Sequence, residues 1–197
     1  MQRKWMLIGL FLAVLMLTGC TGKTSTAGSQ IEVGRDGKIT AALTESFDKE
    51  FYQLSELEDM LRTELSEYNT EAGSQRIELK SIEEKEGTCT LVLDYASWED
   101  YAQYNQEPFF AGTVKEAGEA GVDLNVLLME NGKDHTIGQS EITELEAYHL
   151  VAWNGSLTLH VPGKIRYYSE GITLSSAKDA VVQEETAAGA LFYIIYK

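Results

Sequence analysis

Apolar and polar residues alternate in two stretches of the first half of the chain, and each stretch predicts a β-hairpin. In residues 31–43, a three-residue loop with Gly37 in the left-handed conformation places Val33 opposite Ile39. A two-residue loop would pair Val33 with Thr40 and mix the two faces. The three-residue register gives the cleaner apolar face and is therefore preferred.

The second alternating stretch, residues 76–95, predicts a hairpin with the same type of loop, ending at Gly87. This register places Leu79 opposite Leu93 and collects the apolar residues on one face. Cys89 lies on that face, where a lone cysteine is typically a small core residue rather than a nucleophile.

Between the hairpins, apolar residues recur at the spacing of an amphipathic helix that Gly73 ends. Ser55 and Glu58 match a capping box, which places the start of the helix at Ser55. The apolar positions are Leu54, Leu57, Leu61, Leu65, Tyr68 and Ala72.

Two shorter helices are expected after the second hairpin. Ser97 has the character of an N-cap, with Asp100 three residues later, for a helix that runs to Tyr104. Pro108 predicts the start of another helix, which Gly121 ends.

From about residue 122 the pattern changes to short strands and turns. Asn154-Gly155 is the strongest hairpin signal in the chain, and a two-residue turn there places His149 opposite His160. Further strands are expected over residues 172–174, 180–183 and 191–196. The last of these is apolar on both sides, as expected of a strand inside a sheet.

These elements predict an α+β fold: antiparallel β-hairpins with one amphipathic helix and short helices, followed by an antiparallel β-meander. The globular domain is expected over residues 30–197. A division into subdomains 30–121 and 122–197 is the alternative to one domain.

The start of the chain has a different pattern. Arg3 and Lys4 precede an apolar run over residues 5–17, which is shorter than the about 20 residues that span a bilayer. Small residues follow this run, as they do at the cleavage site of an export signal. Residues 1–19 are therefore predicted to be a signal peptide.

The motif Leu17-Thr18-Gly19-Cys20 resembles the lipobox of bacterial prolipoproteins. The resemblance implies cleavage before Cys20, diacylation of its sulfur and lipid anchoring at the extracytoplasmic face of the cell membrane. Residues 20–29 would be a flexible tether, since they are small and polar. In this motif, in residues 31–39 and in residues 193–197, the chain is similar to small acidic lipoproteins of Gram-positive bacteria that have no assigned function.

The net charge limits the binding partners of the protein, and the number of cysteines limits its disulfides. Removal of residues 1–19 takes away Arg3 and Lys4 and no acid, which leaves 14 basic and 31 acidic side chains, a net charge of −17. Such a charge disfavours nucleic acid and anionic membrane surfaces. The acyl chains on Cys20 must therefore hold the protein to the bilayer. With Cys20 lipidated, Cys89 has no partner for a disulfide.

No linear motif of a known catalytic or metal site is present, so no cofactor or metal is predicted. An opposed pair of His149 and His160 would lie about 5 Å apart at Cβ, but that face offers zinc no third ligand.

A dense aromatic cluster around residues 95–110 could stack on sugar rings or anchor a protein partner, although core packing is the commoner role. Trp153, on the less apolar face of its hairpin, is expected to be a second exposed anchor. The candidate contact residues are Trp98, Tyr101, Tyr104, Trp153, His149 and His160.

The sequence therefore favours a membrane-anchored, non-enzymatic module that binds a small ligand, a glycan or an envelope protein. The alternative is an extracytoplasmic hydrolase or a hydrolase accessory, which a concave pocket with converging histidine or carboxylate groups would favour. A purely structural envelope protein would show neither a pocket nor an exposed aromatic patch.

Overall fold

The computed structural model describes residues 28–49, 52–182 and 191–197. The predicted signal peptide, Cys20 and most of the predicted tether lie outside these residues. Within them the strands are β1 (Gln30–Val33), β2 (Ile39–Ser46), β3 (Ile77–Lys85), β4 (Thr88–Tyr95), β5 (Phe109–Thr113), β6 (Leu128–Glu130), β7 (Thr136–Ile137), β8 (His149–Asn154), β9 (Thr158–His160), β10 (Ile165–Tyr168), β11 (Ile172–Leu174), β12 (Asp179–Val182) and β13 (Leu191–Tyr196). The helices are α1 (Leu54–Glu71), α2 (Trp98–Asn105), α3 (Val114–Glu119) and α4 (Gln139–Glu144).

The prediction of an α+β fold is wrong, because strands dominate: 41% of the described residues are in strands and 24% in helices. Sheet 1 has seven strands in the order β11-β12-β9-β1-β2-β4-β3, and sheet 2 has six in the order β5-β8-β13-β10-β6-β7. The second half is not a meander, since its strands are divided between the two sheets. The pairing of β1 with β9 is also parallel. Both sheets take strands from residues 30–121 and from residues 122–197, so the two segments are interwoven.

The first hairpin has the predicted register, with Val33 opposite Ile39 and a loop closed by the Gly34 N–H donating to the Lys38 carbonyl at 2.8 Å. Gly37 has φ of +82°, the left-handed conformation that the loop requires.

The second hairpin reaches its predicted pairing of Leu79 with Leu93 by a different route. Lys85 pairs with Thr88, so the turn has two residues, and both have positive φ. A bulge at Lys80 then shifts the register by one residue. The prediction of the turn type was wrong, and the bulge explains why the pairing was still correct.

Helix α1 begins at Leu54, and its N-cap lies two residues before the predicted cap Ser55. Gln53 is the N-cap and makes no capping hydrogen bond with its side chain. Gly73, at φ of +69°, follows the end of the helix as predicted. The predicted cap of α2 is confirmed, because the Ser97 hydroxyl accepts the Asp100 N–H.

The helix predicted from Pro108 begins later. Residues 109–113 form β5, and α3 starts at Val114 behind a capping box of Thr113 and Glu116. Strand β5 has a buried side chain on each face. Phe109 belongs to the core cluster on one side of sheet 2, and Phe110 belongs to the cluster on the other side.

Asn154-Gly155 does not form a hairpin. Strand β8 pairs with β5 and β13, whereas β9 pairs with β1 and β12. The turn, with Gly155 at φ of +94°, therefore carries the chain from sheet 2 to sheet 1. Strand β8 is buried on both faces and pairs with a strand on each edge. On one edge its partner is β13, where the hairpin prediction had placed β9. The prediction that residues 191–196 form an interior strand is confirmed.

The core has two parts, one on each face of sheet 2. One cluster lies between the inner faces of the two sheets and includes Trp153, Leu159 and Ile194. The other lies against the opposite face of sheet 2, with Val114 and Ala117 of α3 and Ile142 of α4. Helix α1 packs on β3, and α2 packs on β4 and β5. The β3–β4 side of the inner face of sheet 1 is therefore covered by helices rather than by sheet 2.

Candidate functional site

A cavity of about 630 Å³ lies between sheet 1, the beginning of α1 and the β8–β9 connection. We call it the α1 cavity. It is partly open to solvent, and its volume lies in the range of about 300–1,000 Å³ that is typical of small-molecule sites. Its walls are mainly apolar, with side chains that include Ile31, Leu43, Leu57, Met60, Leu91 and Leu157.

The cavity arises because α1 packs on the sheet only beyond its first two turns. The buried residues of α1 are Leu61, Leu65 and Tyr68, all after its second turn. Leu57 is only partly buried, and Met60 is 36% exposed. Strands β2 and β4 continue beneath the first turns of the helix, so their apolar inner side chains line a space that no side chain fills.

Acidic side chains from three elements reach this space. Glu45 is at the end of β2, Glu56 is in the first turn of α1 and Glu107 follows α2. Desolvation beside the apolar wall raises the pKa of Glu45 and of Glu107, although both side chains keep much of their surface in water. Among the described residues that line the cavity, none is Lys, Arg or His.

Cys89 contributes a buried thiol to the same wall and pairs with Glu45 across the strands. Burial, with a contribution from the nearby charge of Glu84, raises the pKa of this thiol. The thiol therefore stays protonated at neutral pH, where it is a poor nucleophile. The prediction that Cys89 is a buried residue of the apolar face is confirmed.

Trp153 is completely buried, so the prediction that it is an exposed anchor was wrong. It packs against Phe192 with 5.9 Å between ring centroids, and its indole Nε1 has no hydrogen-bond partner among the described residues. The error follows from the hairpin prediction, since β8 lies inside sheet 2 with both of its faces covered.

Tyr101 and Tyr104 pack around Tyr95 in the core, with ring centroids 5.1 and 6.1 Å from it. Tyr101 is buried and also lines the α1 cavity. Tyr104 is partly buried, and its hydroxyl finds no partner in the described part of the chain. Core packing therefore accounts for most of the surface of both rings.

Trp98 and His149 come together in a second, more polar groove of about 810 Å³. Trp98 contacts Phe110 with 4.9 Å between centroids, and His149 stacks on Tyr196 at 5.2 Å. The groove also contains Glu116, and it carries both signs of charge. A role of Trp98 and His149 in ligand or partner contact stays a prediction.

His149 and His160 do not face each other, because they lie in different sheets. His160 Nδ1 is instead 2.6 Å from the Asp179 carboxylate, which also accepts a hydrogen bond from the Ser176 hydroxyl. In a hydrolytic triad the serine hydroxyl faces the imidazole. Here it bonds the carboxylate, so these three residues are not arranged as a nucleophile, base and acid. The described residues contain no cluster of three or more metal-ligating side chains.

Sequence reasoning missed the α1 cavity, although one signal of it was present. Glu45 continues the inward-facing series of Ile39, Ala41 and Leu43 along β2. A carboxyl group at a core-facing position indicates that the core ends there.

Comparison of the chain with protein-family models, with curated protein sequences and with solved structures gave no match. Among the residues that the structure describes, no helix combines the length and the apolar character needed to cross a membrane.

Proposed function

We propose that this protein is a lipid-anchored, extracytoplasmic, non-enzymatic binding module that holds a small ligand with an apolar body in the α1 cavity. The observation that carries the proposal is the cavity itself: a space of about 630 Å³ with mainly apolar walls, partly open to solvent. Contact between such walls and water costs free energy, since burial of apolar surface contributes about 25 cal/mol per Å². A ligand that fills the space recovers this free energy.

A small ligand is favoured over a glycan by the placement of the aromatic rings. Trp153 and Tyr101 are buried, so neither presents a flat face on which a sugar could stack. A hydrolase is not favoured, because the thiol of Cys89 is held protonated and the arrangement of His160, Asp179 and Ser176 lacks a base aimed at a nucleophile.

The proposal is tested with the mature lipidated protein on phosphatidylcholine vesicles that contain a photoactivatable long-chain alcohol. We expect illumination to cross-link the alcohol to residues of the cavity wall, such as Leu57, Met60 and Leu91, identified by mass spectrometry of peptides. Leu91→Trp fills the cavity and should reduce this labelling at least fivefold.

Leu127→Trp is the matched control, because Leu127 is 71% exposed and lies outside the cavity. It should leave the labelling unchanged. Labelling that is spread over the surface, or that survives Leu91→Trp, would contradict the proposal.

A further inference from the structure

We infer that the ligand of the α1 cavity is an amphiphile with a long apolar body and a cationic head group, taken up from the bilayer to which the protein is tethered. This inference rests on the proposed function and adds to it the chemical class and the source of the ligand. It is carried by the charges around the cavity and by the distance between the cavity and the lipid anchor.

The first argument is the sign of the charge at the cavity. Glu45, Glu56 and Glu107 all line the space, and they come from the end of β2, the first turn of α1 and the connection between α2 and β5. None of the three forms an ion pair with another described residue. No described lining residue is basic.

An anionic head group in this space would meet carboxyl groups with no compensating charge. The repulsion between a carboxylate or phosphate head group and these carboxyl groups would be stronger beside low-dielectric apolar walls than in water. An ammonium group would instead pair with the carboxyl groups and donate hydrogen bonds to them. The apolar body of the same molecule would fill the space between Leu43, Leu57 and Leu91.

The second argument is the reach of the tether. Ser29 lines the cavity and lies nine residues after Cys20. A fully extended chain spans at most about 3.3–3.6 Å per residue, so the cavity lies within about 30 Å of the acylated sulfur. This distance is comparable to the thickness of the hydrocarbon core of a bilayer, about 30 Å. The cavity is therefore held beside a surface rich in amphiphiles.

The experiment compares three competitors of equal chain length in the vesicle cross-linking assay: hexadecylamine, hexadecanol and hexadecanoate. Each is added at the same mole fraction, and the readout is the loss of cross-links on the cavity wall. We expect hexadecylamine to displace the photoactivatable alcohol at a mole fraction at least tenfold lower than hexadecanol. Hexadecanoate should be the weakest of the three.

Matched variants locate the preference at the cavity. Glu45→Gln combined with Glu107→Gln should bring the amine and the alcohol to within about twofold of each other. Glu83→Gln is the control, since Glu83 is exposed on the other face of sheet 1, and it should keep the full preference.

The outcomes test the inference about the head group separately from the proposed function. Equal displacement by all three competitors, or strongest displacement by hexadecanoate, overturns the inference about the head group and leaves the proposed function standing. Absence of cross-links in the cavity of the wild-type protein overturns the proposed function itself. A tenfold preference for the amine that survives Glu45→Gln/Glu107→Gln also overturns the inference, because it is argued from these carboxyl groups.

Discussion

At the scale of single residues, Glu64 makes the stability of the protein depend on pH near neutrality. Its Oε2 atom is buried beneath α1 with no hydrogen-bond partner in the described structure. Desolvation, with a smaller contribution from the charge of Glu67, raises the pKa of Glu64 from 4.5 to about 7. The folded state therefore holds this proton more tightly than the unfolded chain does.

The sign of the effect on stability follows from linkage. The protonated Glu64 is favourable below pH about 4.5, and this contribution is lost as pH rises through about 7. Glu64→Gln keeps the shape and removes the ionisation. Because solvent screens this partly buried group, we expect the change to raise the free energy of unfolding at pH 8 by only on the order of 1 kcal/mol and to alter it little at pH 5.

Urea unfolding of the two proteins at both pH values measures this difference. Glu71→Gln, an exposed change on the same helix, should leave the pH dependence as in the wild type. Equal pH dependence of wild-type protein and Glu64→Gln would show that Glu64 is not the group responsible.

Residues whose roles depend on near neighbours in the chain were predictable. Gly37, Gly73 and Ser97 each have the conformation or the hydrogen bond that local chemistry requires. The burial of Glu64 was not predictable, because it depends on elements distant in sequence. Tyr104 of α2 is one of them: burial, with a smaller contribution from the charge of Glu64, raises the pKa of its hydroxyl.

At the scale of elements, the start of α1 is a point of weakness that can be improved. Gln53 has the extended backbone of an N-cap, but its side chain makes no capping hydrogen bond. Gln53→Ser supplies an acceptor for the free N–H groups of the first turn. We expect it to stabilise the protein by about 1 kcal/mol, measured by chemical denaturation.

Gln103→Ser is the matched control for this change. Gln103 is exposed in the middle of α2, where serine has no cap to make and lowers helix propensity. It should therefore destabilise slightly. The same shift in both variants would mean that capping is not the cause.

The hairpins show how far local pairing can be inferred. Both early hairpins pair strands that are adjacent in sequence. Alternation and turn residues were sufficient for the register of the first hairpin, whereas the second reaches its pairing through a two-residue turn and a bulge at Lys80. Asn154-Gly155 has equally strong local chemistry, yet the strands beside it have partners far away in the chain. Which strands pair depends on the whole sequence, and the residues of a turn alone do not determine it.

At the scale of the whole molecule, the proposed lipid anchor rests on the motif at residues 17–20. If Cys20 is acylated, metabolic labelling with an alkyne fatty acid should mark the wild-type protein. Cys20→Ser should abolish the label. Cys89→Ser, the same change at the other cysteine of the chain, should retain it. Label that persists in Cys20→Ser would refute the lipoprotein assignment.

The α1 cavity belongs to this scale as well. Its wall combines residues from Ser29 to Leu157, and its existence depends on how far α1 stands from sheet 1. The periodicity of α1 predicted its apolar face, but it did not indicate which half of the helix reaches the sheet. The cavity therefore depends on the relative positions of elements that are distant in sequence.

The positions of β1 and β13 have a consequence for the order of folding. β1 lies between β2 and β9, and β13 lies between β8 and β10. β1 pairs with β9, more than one hundred residues later. Such long-range pairing slows folding, because a long loop must close before its contacts form. Neither sheet is complete when only the first half of the polypeptide has been synthesised. Both sheets therefore close only after the last strands of the chain have been synthesised.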